Sequence, residues 1–410
     1  MTSKHCRFCN ACLKRTFVDL GRSPLANSLL SADDIERGEA SYPLHAYVCD
    51  NCRLVQLQEF ERAENIFNNY LYFSSFSQVW LRHCREYTEQ MTKRFALDSR
   101  SLVVEVASND GYLLQYFKER GIGVLGVEPA ANVAKAAQDK GIATEVAFFG
   151  AETARRLAAA GKSADLMAAN NVLAHVPDLH DFLVGFKVLL KPAGTATFEF
   201  PHLLRLIEER QFDTIYHEHF SYFSFLVVDK IFARHGLRIY DVETLPTHGG
   251  SLRLLVCHAD APFGRTGKVN DLITKERAVG LDRIDTYASF ANAVIDIKCE
   301  LLDFLIEARK NGKSVVGYGA PAKGNTLLNY CGVGRELLSY TVDVSPHKQG
   351  RYLPGIQIPI YAPEHILETR PHYVLILPWN IKEEIMDQMA AIRQWGGRFV
   401  TAIPKLTVLP

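Results

Sequence analysis

The 410-residue chain carries no net charge, because 46 Lys+Arg balance 46 Asp+Glu. Phosphate backbones normally demand a basic face, so this balance argues against a nucleic-acid partner, though not against a local basic patch. Apolar runs are short, and none approaches the ~20 residues of a membrane-spanning helix. The opening MTSKHCRFCN lacks the apolar core of a signal peptide. No membrane partner and a cytoplasmic location are therefore expected. Repeats and low-complexity tracts are absent too, which leaves ordinary globular domains. With 48% hydrophobic and 22% charged residues, the chain can bury two or three cores.

Nine cysteines in a reducing compartment read as metal ligands or core residues rather than disulfides. Cys6-Arg-Phe-Cys9 and Cys49-Asp-Asn-Cys52 are two C-x-x-C knuckles, whose four thiolates could converge tetrahedrally on one structural zinc. Cys9 and Cys12 form a further C-x-x-C pair. Cys6 with Cys9 is preferred, because Cys9-Asn10 can make the tight turn after a knuckle. The segment from Ser23 to His45 must then loop out. Tyr70 and Tyr72 form a cluster of hydroxyl-bearing aromatics just before a helical pattern, Val79 to Phe95.

Downstream, SLVVEV (101–106) is a strand that carries Glu105 and enters a small polar loop: Ser108, Asn109, Asp110, Gly111, Tyr112, Leu113. A second strand ends at Glu128-Pro129, and a later one ends at Asn170-Asn171. In parallel α/β sheets ligands sit at the carboxyl ends of strands, and an acid ending the second strand accepts from ribose hydroxyls. Further βα steps close on a hairpin, Leu237–Thr244 with Ser251–His258, which is the order of a Rossmann-like methyltransferase. A helical stretch from Lys275 to Lys310 leads to a third region. There the strand Ser314–Gly319 runs into Ala-Pro-Ala-Lys323-Gly-Asn325-Thr. This turn lacks the third glycine of a dinucleotide fingerprint. A lysine beside a helix N-terminus suits the diphosphate of a nucleotide sugar better than NAD. Strands are expected at 340–344, 356–360, 373–377 and 398–402. The expected architecture is α/β: a zinc-binding N-terminal domain (1–74), a central cofactor domain (75–262) and a C-terminal Rossmann-like domain (263–410).

The densest chemistry lies in QFDTIYHEHFSYFS, residues 211–224. His217, Glu218 and His219 stand among Tyr216, Ser221 and Tyr222, with Phe212, Phe220 and Phe223 between them. So many titratable groups among aromatics suit a half-buried pocket wall better than a core, where each polar group would need a partner. His217 and His219 could also share one face of a strand as a metal-chelating pair, although a third ligand is missing.

Taken together, C-R-x-C with a later C-x-x-C, E-x-x-S-N-D-G-Y-L-L, Y-H-E-H, H-G-G-S-L-R and G-A-P-A-K-G-N-T resemble the sugar C-methyltransferases over essentially the whole chain. The resemblance implies S-adenosylmethionine as cofactor and methylation at carbon 3 of a nucleotide-linked 4-keto-deoxysugar, carried by thymidine or guanosine diphosphate. It also implies a zinc-bearing N-terminal domain and a C-terminal domain that helps to hold the sugar nucleotide. By motif, His219 resembles the catalytic base, Tyr216 and Glu218 its pocket partners, and Tyr70 a substrate-facing tyrosine. Tyr72, His217, Lys323 and Asn325 are placed at the substrate. The chemistry agrees with these residues: enolisation beside a ketone needs a base titrating near neutrality, which suits His. The growing oxyanion needs a donor, which Tyr216, Tyr222 or His175 could supply. His175 also reads as a core residue, and His248 as loop geometry beside two glycines. N- or O-methylation of a sugar, or a zinc ribbon guiding a methyltransferase to RNA, are the competing readings.

Overall fold

The computed structural model describes residues 4–62 and 74–410. Tyr70 and Tyr72 fall outside the described residues. The N-terminal region is built on β1 (Arg15–Ser23), β2 (Tyr42–Val48) and β3 (Val55–Leu57), paired antiparallel in that order. The looped-out segment is therefore shorter than expected, since Tyr42 to His45 already belong to β2. Its remainder reaches across to the C-terminal region, where Leu30 bridges to Tyr352 and Glu39 accepts from the Gly355 amide at 2.7 Å.

The central sheet comprises β4 (Leu102–Val106), β5 (Gly123–Val127), β6 (Thr144–Glu145), β7 (Ala164–Asn170) and β8 (Leu190–Pro201). After a short β9 (Ser221–Tyr222), β10 (Leu237–Leu245) and β11 (Ser251–His258) complete it. The strand order is β10-β11-β8-β7-β4-β5-β6, and only β11 runs against its neighbours. That is the doubly wound arrangement with a closing hairpin expected from the sequence. The near-continuous burial of β4 and β7 follows from helices on both faces of a parallel sheet. Their adjacent ends, where chain order reverses, form the crevice in which such sheets bind ligands.

The third sheet has β12 (Val315–Tyr318), β13 (Thr341–Val342), β14 (Ile360–Tyr361), β15 (Tyr373–Ile376), β16 (Arg398–Thr401) and β17 (Thr407–Leu409), in the order β14-β13-β12-β15-β16-β17. The antiparallel β17 has no counterpart among the expected strands. The single helical stretch expected from Lys275 to Lys310 is instead two helices, Gly267–Ala278 and Phe290–Lys310. Gly280, at φ 85°, ends the first of them in a left-handed turn open to few residues other than glycine.

β9 does not join the central sheet. It pairs with β3, Tyr222 opposite Val55 and Ser221 opposite Gln56, and so carries the end of the 211–224 stretch into the N-terminal sheet. Phe17, Phe212, Ile215, Phe290, Leu327 and Trp379 belong to one continuous buried cluster, so the stretch lies in a core shared by the N- and C-terminal regions. No helix among the described residues is long and apolar enough to cross a membrane.

Candidate active site and zinc centre

Each of the three regions grips the 211–224 stretch. From the N-terminal region, Asn27 donates to Glu218 Oε1 at 2.6 Å, and the Pro43 carbonyl meets His217 Nε2 at 3.2 Å. From the central region, the Ala174 carbonyl accepts from the Phe220 amide at 2.7 Å. From the C-terminal region, Thr326 Oγ1 donates to the Ile215 carbonyl at 3.2 Å, and Trp379 Nε1 donates to Asp213 Oδ2 at 2.7 Å.

His219 Nδ1 lies 2.9 Å from the Thr214 carbonyl, and Nε2 lies 2.8 Å from the Tyr216 hydroxyl. A carbonyl only accepts, so Nδ1 carries the proton and Nε2 is left with a lone pair, toward which Tyr216 donates. Burial, reinforced by the neighbouring His175, holds this imidazole well below its ordinary range. The His175 ring meets it edge-on at 4.7 Å between centroids, and burial lowers His175 to about 4. Tyr222 lies on another side, at 6.2 Å between centroids. Burial pushes its phenol well up, against a backbone interaction with Tyr216 that lowers it.

Glu218 is buried with Asn27 as its partner, and desolvation raises it to about 7. His217 turns toward Pro43 and the edge of Tyr42, away from His219. The residues between them form a turn rather than a strand, so the two imidazoles do not share a face and the chelating pair is excluded. Lys323 stands in the first turn of the helix Ala322–Cys331. Its ammonium donates to Asn380 Oδ1 at 2.6 Å, lies over the Trp379 ring and is lowered by burial. Asn325 is fully buried, with Oδ1 taken by Asn329 and Nδ2 without a partner among the described residues.

At the other end of the crevice, the loop after β4 alternates left-handed residues: Ala107 (φ 55°), Asn109 (φ 47°) and Gly111 (φ 75°). The turn is closed by Glu128, whose carboxylate accepts from the Asn109 amide at 2.9 Å and the Ala130 amide at 2.8 Å, beside Pro129. Each oxygen retains a second lone pair. Leu113 is wholly buried in the core, so its backbone alone can face a ligand. Burial pushes the carboxyl of Glu105 well above its usual range, with Tyr112 beside it. Asp110 Oδ2 is held by Lys140 at 3.1 Å. Ser108 Oγ, Asp110 Oδ1, Asn170 Oδ1 and Asn171 Oδ1 are buried with no partner among the described residues. Orphaned acceptors at the ends of β4 and β7 fit the amino group and hydroxyls of S-adenosylmethionine.

The sulfurs of Cys6, Cys9, Cys49 and Cys52 all lie within 4.8 Å of one another, while Cys12 is exposed and outside the cluster. Asn10 (φ 60°) and Arg53 (φ 72°) make the left-handed turn after each knuckle. Gln56 Nε2 donates to Cys6 Sγ at 3.2 Å. Hydrogen bonds with Cys49 and Cys52 lower the Cys6 thiol, while those with Cys49 and Cys6 raise that of Cys52, as crowded sulfurs do when no cation shares their charge. Four thiolates fit a closed, structural zinc site.

Comparison with known proteins agrees with this geometry. Residues 6–67 match a family described as a zinc binding domain, residues 80–242 a methyltransferase domain, and residues 246–404 a C-methyltransferase C-terminal domain. C-methyltransferase NovU of Streptomyces niveus is 37% identical over 404 residues, covering 98% of this chain and 96% of NovU. The chain belongs to the C-methyltransferase family. This C-methyltransferase uses S-adenosylmethionine and has a zinc-binding N-terminal region. It also has partial structural likeness to a SAM-dependent methyltransferase from Aquifex aeolicus. That match shows 19% identity over 41% of this chain and 88% of the other, at a TM-score of 0.31. For the 1,6-didemethyltoxoflavin-N1-methyltransferase of Burkholderia thailandensis the values are 15%, 52%, 98% and 0.36, too low to carry weight.

Sequence reasoning missed three groups of the candidate site. Asp213 sits inside the singled-out stretch, buried, with desolvation raising it to about 6. Trp379 and Asn380 follow β15, where polar residues at a strand end are a readable signal. Asn27 lies in a loop and offers none.

Proposed function

We propose that this C-methyltransferase methylates carbon 3 of a nucleotide-diphosphate-linked 4-keto-6-deoxysugar through an enolate, with His219 as base. The observation that carries the reading is the fixed tautomer of His219. The Thr214 carbonyl holds the proton on Nδ1, and the Tyr216 hydroxyl stands at the Nε2 lone pair. As the ketone substrate displaces the Tyr216 hydroxyl from that lone pair, the proton beside the ketone passes to Nε2, and the electron pair moves into the enolate. Tyr222 and His175 line the same space and suit a role as donors to the oxyanion. Bound S-adenosylmethionine supplies an electrophilic methyl group. Ser108, Asn109, Asp110, Gly111, Glu128, Asn170 and Asn171 would orient it, so that the reacting atoms meet in line. Lys323, backed by Asn380 and Trp379, suits the diphosphate, and Glu218 with Asn27 a sugar hydroxyl or amine. Thymidine diphosphate is the nucleotide we favour. Residues 1–74, 75–262 and 263–410 are taken as the zinc, cofactor and sugar-nucleotide domains.

The test is proton exchange in deuterated buffer, with S-adenosylhomocysteine and a dTDP-linked 4-keto-6-deoxysugar, following the carbon-3 hydrogen by NMR. Washout that disappears in His219→Ala, while S-adenosylhomocysteine still binds, is the expected result. No washout from the wild type with any 4-keto sugar nucleotide overturns this acceptor. Washout that survives in His219→Ala removes His219 as the base.

A further inference from the structure

His248 lies in the turn between β10 and β11, and its backbone is strained. At φ 54° and ψ 25° it occupies the left-handed region that non-glycine residues rarely enter. Its neighbours Gly249 (φ 85°) and Gly250 (φ 112°) continue the positive-φ turn at little cost, whereas the imidazole-bearing residue is held there against its preference. Strain of this kind persists only where the surroundings over-determine it, and it clusters at functional sites. Here the restraints are explicit. Thr247 Oγ1 donates to the buried Glu199 carboxylate at 2.9 Å, and the Gly250 amide to the Thr247 carbonyl at 2.9 Å. Gln211, at the head of the 211–224 stretch, donates to the Gly249 carbonyl at 2.7 Å. The C-terminal region closes the turn from outside, since a Cβ on Gly249 would lie 2.4 Å from Trp379.

The ring so presented stands between the two halves of the proposed site. On the cofactor side it meets Trp80 edge-on at 5.4 Å between centroids, and Trp80 in turn leans on Tyr112 of the β4 loop at 6.0 Å. On the acceptor side its turn is tied to the 211–224 stretch through Gln211 and packs against Trp379, over whose ring the Lys323 ammonium lies. Its Nδ1 is buried and has no partner among the described residues. A buried polar atom left unmatched at this junction awaits a partner from the ligand.

Resting on the acceptor proposed above, we propose that His248 is a further catalytic residue, whose Nδ1–H hydrogen-bonds the substrate's ketone oxygen. When His219 takes the carbon-3 proton, the C–H electron pair forms the carbon-carbon double bond, and the carbonyl pair moves to that oxygen as an enolate. His248 holds the new charge without giving up its proton. Carbon 3 would then bond the methyl carbon as the sulfur–methyl bond breaks and its pair stays on sulfur, the oxygen returns to a ketone, and His219 releases its proton to water. Burial lowers His248 to about 4, so the ring is neutral near pH 7 and acts as a donor rather than an acid.

The zinc-loaded full chain carrying His248→Gly tests this. Glycine accepts the left-handed backbone, so thermal stability should be kept or raised while the imidazole is removed. Carbon-3 exchange is expected to fall about 10²–10³-fold, the cost of losing one oxyanion donor. Binding of S-adenosylhomocysteine should stay unchanged, and free imidazole in the buffer should restore part of the rate. His248→Asn, which also tolerates this conformation and keeps an amide N–H at the same distance from the backbone, guards against a glycine variant that misfolds and should retain part of the rate. Exchange at the wild-type rate in His248→Gly overturns the role of His248 and leaves His219 and the acceptor standing. A loss that imidazole does not relieve, accompanied by lost S-adenosylhomocysteine binding, also overturns it, because His248 would then only support the cofactor wall. Absence of exchange in the wild type overturns the acceptor and this inference together.

Discussion

Around His219 the protein pushes acids and bases in opposite directions. Burial lifts Glu218 to about 7 and Asp213 to about 6, while His175 falls to about 4. The common cause is desolvation, which disfavours whichever form is charged. For Glu218 the consequence for stability has a definite sign. The folded chain keeps a proton that the unfolded chain loses above about 4.5, so this contribution is complete below that pH and is lost as pH rises toward 7. Its full size is about 3 kcal/mol at about 1.4 kcal/mol per unit. Glu218→Gln keeps an acceptor for Asn27 and cannot ionise. Its melting temperature should match the wild type near pH 5 and exceed it at pH 8. Parallel pH curves for the two proteins would show that Glu218 is not the group responsible. Asp213 depends on a different partner. Trp379→Phe removes the indole donor from a buried carboxylate and should cost about 1–3 kcal/mol in denaturant unfolding.

At the scale of elements, the zinc knuckles and the βα steps were legible because each rests on local pattern. Two C-x-x-C pairs, apolar runs ending in Glu105, Glu128 and Asn170, and the hairpin around His248 all stand where the spacing puts them. Cys6→Ser should therefore release zinc and lower the melting temperature, whereas Cys12→Ser should leave metal content unchanged by elemental analysis. What escaped depends on distant partners. The break at Gly280 lies inside a helical pattern, and only the backbone reveals its left-handed turn. Asn27 meets Glu218 across 191 positions, and Trp379 meets Asp213 across 166, separations at which no periodicity helps. His217 and His219 alternate as a strand pair would, but the surrounding hydrogen bonds bend them into a turn and aim them at different regions.

At the scale of the whole molecule, metal and chemistry are separate yet mechanically joined. Cys49 and Cys52 lie in the turn between β2 and β3, and β3 pairs with β9, near the end of the 211–224 stretch. Stripping zinc with a strong chelator should abolish carbon-3 exchange while S-adenosylhomocysteine, held by the central sheet, still binds. Full exchange in the metal-free protein would show that the stretch holds its shape alone. The pairing of β3 with β9 also sets an order on synthesis. The N-terminal sheet lacks its fourth strand until Ser221 and Tyr222 have left the ribosome, long after the four cysteines have emerged. A nascent chain can thus load its zinc early and still present the free edge of β3 while more than 160 further residues are made. Unpaired edges are where growing chains join one another, so that interval is the one in which the N-terminal sheet stands open to pairing with a neighbouring chain.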